Sequence, residues 1–269
     1  MLPHYTAEQI AFLQERKERI DEWPSTAGFP NSLLLINKGE GSLNGCLYNL
    51  ISLNGEIANF AWFAQQDLAT FKLQSYIVAK LMYIRAIETG EEGILHEATW
   101  FYPLLSDYEP FIRWAMSFSP ESDFFKRRVS NPNQNEYRFY QLTLALNGNW
   151  DELGRKAEAF LHSPPTKMKK FAPDMRFYLA LAQQDKAAME SALAELTSPK
   201  VAKVRNDVFE LTVASKFVSP FACVYAKVAS RHGHALDIDT VLIPKPWLPV
   251  SPLSAYADPY DFMRKWTIS

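Results

Sequence analysis

Few groupings in this 269-residue chain could carry chemistry, and each lacks a part. Gly39-Glu40-Gly41, after the apolar run Leu33 to Ile36, imitates the opening of a dinucleotide fingerprint. That fingerprint needs a third glycine at position 44, where Asn44 stands, and the glycine arrives one residue late at Gly45. Glu40 would also repel a pyrophosphate, and the chain has no Gly-Lys-Ser/Thr triplet for a phosphate loop. The segment reads instead as a flexible loop before a helix. His96-Glu97 opens like a zinc-protease motif, but Trp100 occupies the place of the second histidine. His232 and His234 flank Gly233 and read as a helix end, where an imidazolium complements the negative carbonyl end of the dipole. Asp237 and Asp239 would share a face only on extended chain, and they read as loop acids. Cys46 and Cys223 form neither a disulfide framework nor a metal motif, and read as buried small hydrophobes. No Gly-x-Ser-x-Gly elbow presents a nucleophile. The expectation is a protein without catalytic residues, cofactor or metal.

Charge and aromatic content narrow the classes further. The net charge is −2, which leaves no general footprint for nucleic acid, and the short basic runs Lys126-Arg127-Arg128 and Lys167 to Lys170 do not supply one. Acids concentrate early: from Gly39 to Asp123 there are eleven, against four bases. From Asn131 onward fourteen acids face seventeen bases. Seven Trp, twelve Tyr and eighteen Phe supply ample core material. Trp100, Phe101, Tyr102 and Tyr108 are accordingly expected inside. No apolar run approaches the roughly 20 residues of a membrane helix. The segment Met1 to Thr6 has no basic start followed by an apolar stretch, so a cytoplasmic protein is expected.

The elements that must position these residues are helical. Thr6 and Gln9 form a capping box before Ile10, Leu13 and Ile20, and Pro24 stops that helix. Ser42 precedes a second helix, in which Leu43, Leu47, Leu50 and Ile51 recur at spacings of three and four. Asp67 caps a third that is apolar around most of its circumference. Ser106, with Glu109 three residues on, reads as the cap of another. A helix from Glu136 to Leu146, the turn Asn147-Gly148-Asn149 and a return from Asp151 to Leu161 then form a pair. Leu179-Ala180-Leu181, Gln183-Gln184-Asp185 and a helix to Leu196 repeat the plan 35 residues later, close to the period of tetratricopeptide arrays. A further helix, broken at Pro220, ends at Gly233. Beyond it Pro244, Pro246, Pro249, Pro252 and Pro259 favour extended chain, and Trp247, Leu248 and Trp266 anchor a strap to the helices. Val241 to Ile243 is expected to form one short strand. The predicted fold is all-α: antiparallel helix pairs in a tetratricopeptide-like array within one domain over 1–269. Its parts are a helical half 1–130, a repeat half 131–236 and an extended, Pro-rich strap 237–269.

The order of these features resembles the immunity 49 family, helical proteins encoded beside bacterial polymorphic toxins. The resemblance is carried by Leu144 to Leu153, by Asp174-Met175-Arg176-Phe177 with Ala180-Leu181-Ala182 and Asp185, and by Arg205 opening a helix. It continues through Ala226-Lys227-Val228-Ala229 to Arg231 and Gly233, then Ile238-Asp239, Pro244 to Leu248 and Asp258-Pro259-Tyr260. It spans roughly Asn135 to Phe262. It implies an immunity protein that binds a cognate toxin from an adjacent gene and blocks it in the producing cell; with no signal segment at Met1 to Thr6, that toxin is expected to act in the cytoplasm. It implies no catalytic residues, and it makes Arg176 and Arg205 supports of the fold. The other readings are a helical-repeat scaffold for endogenous partners and an enzyme assembled from distant helices. Toxins that act on nucleic acid must be basic to hold phosphate, so acids are the natural partner surface. The richest cluster is Glu88, Glu91, Glu92, Glu97, Asp107, Glu109, Glu121 and Asp123.

Overall fold

The computed structural model describes the backbone of residues 5–22, 28–89, 100–117, 122–206, 211 and 213–268. The chain is all-α: thirteen α-helices and short 3₁₀ turns are present among the described residues, and no strand. The chain divides into two compact units, one of Met1–Ile94, Tyr102–Ile112 and Ser251–Ser269, the other of Leu95–Phe101 and Arg113–Val250.

In the first unit, α1 (Ala7–Glu22) starts at the expected capping box. Gln9 N–H donates to Thr6 Oγ1 (3.2 Å) and Thr6 N–H to Gln9 Oε1 (3.0 Å). A helix that the sequence reading missed follows, α2 (Gly28–Lys38). Leu33 to Ile36 lies inside it, and Gly39 and Gly41 turn the chain with positive φ. The glycine pair is therefore a short helix-to-helix turn, in the place expected for a loop before the next helix, while the apolar run ahead of it belongs to α2. In α3 (Leu43–Gln65) Ser42 Oγ accepts the Gly45 N–H, as the cap required. α4 (Leu68–Thr89) starts at Asp67, whose carboxylate accepts the Thr70 N–H. α3 packs along α4, with α1 and α2 against α3. Gly55 matters here: a Cβ on it would lie 3.0 Å from Tyr102 Oη, which accepts a bond from Asn59 Nδ2 at 2.9 Å.

The remaining chain of this unit corrects one cap. Phe101–Ser106 is itself a helix, α5, and Ser106 is its last residue. The Ser106 hydroxyl donates back to the Pro103 carbonyl and accepts the Tyr108 N–H, so it closes α5 instead of opening α6 (Glu109–Met116).

In the second unit, α7 (Asp123–Ser130), α8 (Asn135–Leu146), α9 (Trp150–His162), α10 (Ala172–Ala182), α11 (Lys186–Leu196), α12 (Pro199–Arg205) and α13 (Pro220–Arg231) follow in order. The same six-residue turn ends α8, α10 and α13. Asn149, Asp185 and His234 donate N–H to the carbonyls of Leu144, Ala180 and Ala229 at 2.9–3.0 Å. Gly148, Gln184 and Gly233 hold the left-handed position, at φ 66°, 56° and 84°. The first two turns thus match at a spacing of 36 residues, not 35. Arg205 ends α12 and does not open a helix. Val241 and Leu242 lie in a turn, and Ser219 N–H donates to the Leu242 carbonyl (2.9 Å). The expected strand at Val241–Ile243 does not form, and no strand is present among the described residues to pair with it.

The chain after Gly233 is irregular apart from 3₁₀ turns at Lys245–Trp247 and Asp261–Lys265. In the second unit Trp247 is 1% exposed and meets Phe101 edge-on, with centroids 5.9 Å apart. Leu248 is half-buried. Lys227, fully buried, donates to the Trp247 carbonyl (3.0 Å) and to the Pro249 carbonyl (2.8 Å). In the first unit Trp266 is half-buried. There Lys72 donates to the Ser251 carbonyl. Lys80 and Tyr76 both donate to the Asp258 carboxylate at 2.6 Å. The tail is anchored in both units, by ammonium groups and by buried apolar side chains such as Trp247 and Met263.

Candidate functional site

Charged side chains in this protein serve two ends, and burial separates them. Asp107 is 2% exposed. It accepts from Lys72 Nζ at 2.7 Å and from the Ser251 N–H at 3.1 Å. Asp107 is therefore withdrawn from any partner surface: a carboxylate desolvated to this degree needs its cation. Glu88 is exposed and Glu109 half-buried in the first unit, and Asp123 is exposed in the second. Glu91, Glu92, Glu97 and Glu121 lie outside the described residues.

The second buried ion pair lies within the second unit. Asp174 is fully buried, and Arg205 is 4% exposed. Arg205 Nε donates to Asp174 Oδ2 at 3.0 Å and its NH2 to Oδ1, while Tyr225 Oη donates to Oδ1 at 2.6 Å. The guanidinium also lies over the rings of Phe221 (4.2 Å) and Phe171 (4.7 Å). Arg205 ties α10, α12 and α13 together, the supporting role expected of it. Arg176 instead makes a surface pair with Glu195, both partly exposed.

A cavity of ≈480 Å³ opens between α7, α8 and α9. Lys126, Arg155, Lys156, Glu152, Tyr137 and Tyr140 are among its lining residues. The side chain of Lys156 is 6% exposed, and its Nζ donates to the Val129 carbonyl (2.8 Å). Nζ lies 4.4 Å from the Tyr137 ring centre and 5.9 Å from that of Tyr140. Burial holds the Lys156 ammonium below its ordinary pKa, against the opposing pull of Glu152 at 4.0 Å. Glu152 is gripped by Arg155 through two bonds of 2.7 Å, which keep its carboxyl below the usual range. Sequence reading missed this cluster because its members come from three helices. A trace of it was visible in Lys126-Arg127-Arg128 and in the spacing of Glu152, Arg155 and Lys156.

The remaining candidates have structural roles. Trp100, Phe101 and Tyr102 are core residues, and Tyr108 is half-buried between the rings of Tyr76 and Tyr256. Cys46 and Cys223 are buried free thiols. Burial pushes the Cys223 thiol far up, away from nucleophilic use. His232 Nε2 lies 2.8 Å from the Ala145 carbonyl, and its ring meets Trp150 edge-on. His232 stands at the end of α13, as expected, and its ring donates to that carbonyl; burial lowers its pKa, against the opposing pull of this hydrogen bond. Among the described residues, no group of three or more His, Cys, Asp or Glu is placed to hold a metal ion. No helix among them is long and apolar enough to cross a membrane.

Comparison with known families places residues 125–247 in correspondence with the family described as Immunity protein 49. The matched segment begins ten residues before Asn135 and ends at Trp247, so Asp258-Pro259-Tyr260 falls outside it. It takes in α8 to α13, the Asp174–Arg205 centre and the cavity residues Lys126, Tyr137, Tyr140, Glu152, Arg155 and Lys156. No curated protein matches the chain. No solved structure matches it.

Proposed function

We propose that this protein is an immunity protein that binds a toxin directly and neutralises it by stoichiometric association, without turnover. The observation that carries the reading is the match of residues 125–247 to Immunity protein 49. The chemistry of the interior supports it. Its two most deeply buried ion pairs, Lys72 with Asp107 and Asp174 with Arg205, are committed to holding helices and tail. A stable complex needs on the order of 1,600 Å² of total buried surface, which helix faces of this size can offer. The toxin acts in the cytoplasm, on nucleic acid, nucleotides or cytosolic protein, and is encoded by a neighbouring gene.

Glu88, Glu109 and Asp123, with Glu91, Glu92, Glu97 and Glu121, are proposed to meet basic groups of the toxin. Such charges act mainly on association rate and orientation. Reversal of Glu88, Glu109 and Asp123 to Lys slows association and flattens its salt dependence. Unchanged kinetics across a salt series would remove these residues from the interface. The function itself is tested by co-expression in a sensitive host. Survival of cells that make both proteins is expected. If they die as fast as cells making the toxin alone, with both proteins soluble and abundant, neutralisation is refuted and a scaffold for endogenous partners takes its place.

A further inference from the structure

We infer that the cleft between α7, α8 and α9 is a docking pocket for an acidic segment of the protein partner, whose carboxylate lies between Lys126, Arg155 and Lys156. The inference rests on the reading of this chain as a toxin-binding protein and names the chemistry of one contact.

The charge of the cleft is the first argument. Three cations face one carboxylate, Glu152, and that carboxylate is already gripped at both oxygens by Arg155. The excess of positive charge sits in a chain whose net charge is −2, so it is a local feature. Lys156 supplies the second argument. Its side chain is 6% exposed, yet its ammonium makes one hydrogen bond, to the Val129 carbonyl, and Glu152 stands 4.0 Å off. An ammonium carries three donors. A desolvated cation at a cavity wall with donor capacity to spare gains more from an incoming anion than an exposed lysine does, because the attraction acts in a lower dielectric.

The walls decide between kinds of anion. Tyr137 and Tyr140 flank the ammonium, and Phe160 and Val129 extend the apolar lining. The methylenes of a glutamate or aspartate, and its neighbouring side chains, can rest on these surfaces. A phosphate has no apolar part to place there, and its second charge would lie close to Glu152. The volume of ≈480 Å³ falls within the range of about 300–1,000 Å³ typical of ligand clefts.

Acetylated hexaglutamate titrated into the full-length protein, followed by amide NMR shifts, tests the pocket without the toxin. Saturable shifts along α8 and α9 are expected. The exposed-site variants Lys126→Gln and Arg155→Gln, which leave Lys156 in place, should together weaken binding by about tenfold. Lys156→Met should do the same, and its melting curve reports whether it folds. No saturation, or equal affinity in the variants, overturns the pocket. Saturation by inorganic phosphate with none by hexaglutamate overturns the choice of an acidic peptide. Co-expression then separates the two readings. If the wild type does not protect against the toxin, the functional reading falls, while the titration still judges the pocket. If the wild type protects and Lys126→Gln/Arg155→Gln binds the toxin as tightly, the docking role of this cleft is refuted alone.

Discussion

Replacing Arg205 with Met should be among the most damaging single changes in the second unit. The substitution keeps a long stem between Phe171 and Phe221 but leaves Asp174, fully buried, without its cation. One-sided removal of a buried ion pair costs about 3–5 kcal/mol. Two of the three bonds made to this carboxylate come from the lost guanidinium; the third, from Tyr225 at 2.6 Å, stays. Because the chain has two compact units, a local probe is preferable to a global melt. Amide hydrogen exchange over α10 and α13 reads the opening of this region directly. The cost corresponds to a loss of protection of roughly a hundredfold to several thousandfold. The triple variant Asp174→Leu/Arg205→Met/Tyr225→Phe removes every polar partner together and should recover most of that protection. A change below tenfold in the single variant, or a triple variant no better than the single, would refute the view that the charge of Asp174 is held by Arg205.

Other perturbations follow from the same packing. Trp247→Ala empties a site 1% exposed and should cost about 3–5 kcal/mol in urea unfolding; a shift below ~1 kcal/mol would mean the tail is not anchored there. Truncation after Gly233 should lower the melting temperature further, since it also strips the carbonyl acceptors from Lys227. Burial depresses the folded pKa of His232; its stabilising contribution is present above the ordinary value of 6.5 and is lost as pH falls through the depressed one. Stability should therefore drop as pH falls below about 6.5, less steeply in His232→Gln, and parallel profiles would contradict this. Gly55→Ala places a Cβ against the Tyr102 hydroxyl and should destabilise the first unit by about 1–3 kcal/mol, an effect that Tyr102→Phe relieves in a thermal melt of the pair.

The local signals were the legible ones. Caps at Thr6, Ser42 and Asp67 and the turn at Gly148 depend on residues within a few positions of each other, and each lies where the side-chain chemistry put it. Short apolar segments were less legible. Leu33 to Ile36 is too brief for its period to distinguish helix from strand, and α2 was missed. Ser106 was misread because a serine beside a helix boundary can close one helix as well as open the next. The resemblance from Asn135 onward was visible in residue order, and residues 125–247 carry the family match. The ion centre was not visible: Asp174 and Arg205 are thirty-one residues apart, and only the approach of α12 to α10 joins them. Nor was the burial of Asp107, whose acid neighbours in sequence suggested a surface. Sequence shows charge, and tertiary packing decides which charges face water.

The ammonium anchors of the tail have an evolutionary consequence. Lys227 holds the Trp247 and Pro249 carbonyls, and Lys72 holds that of Ser251. Every residue type carries a carbonyl, so these bonds place no demand on the side chains at 249 and 251, which are exposed. Substitutions there leave the tether intact. Lineages can thus rewrite the outward residues of this stretch without renegotiating how the segment is held.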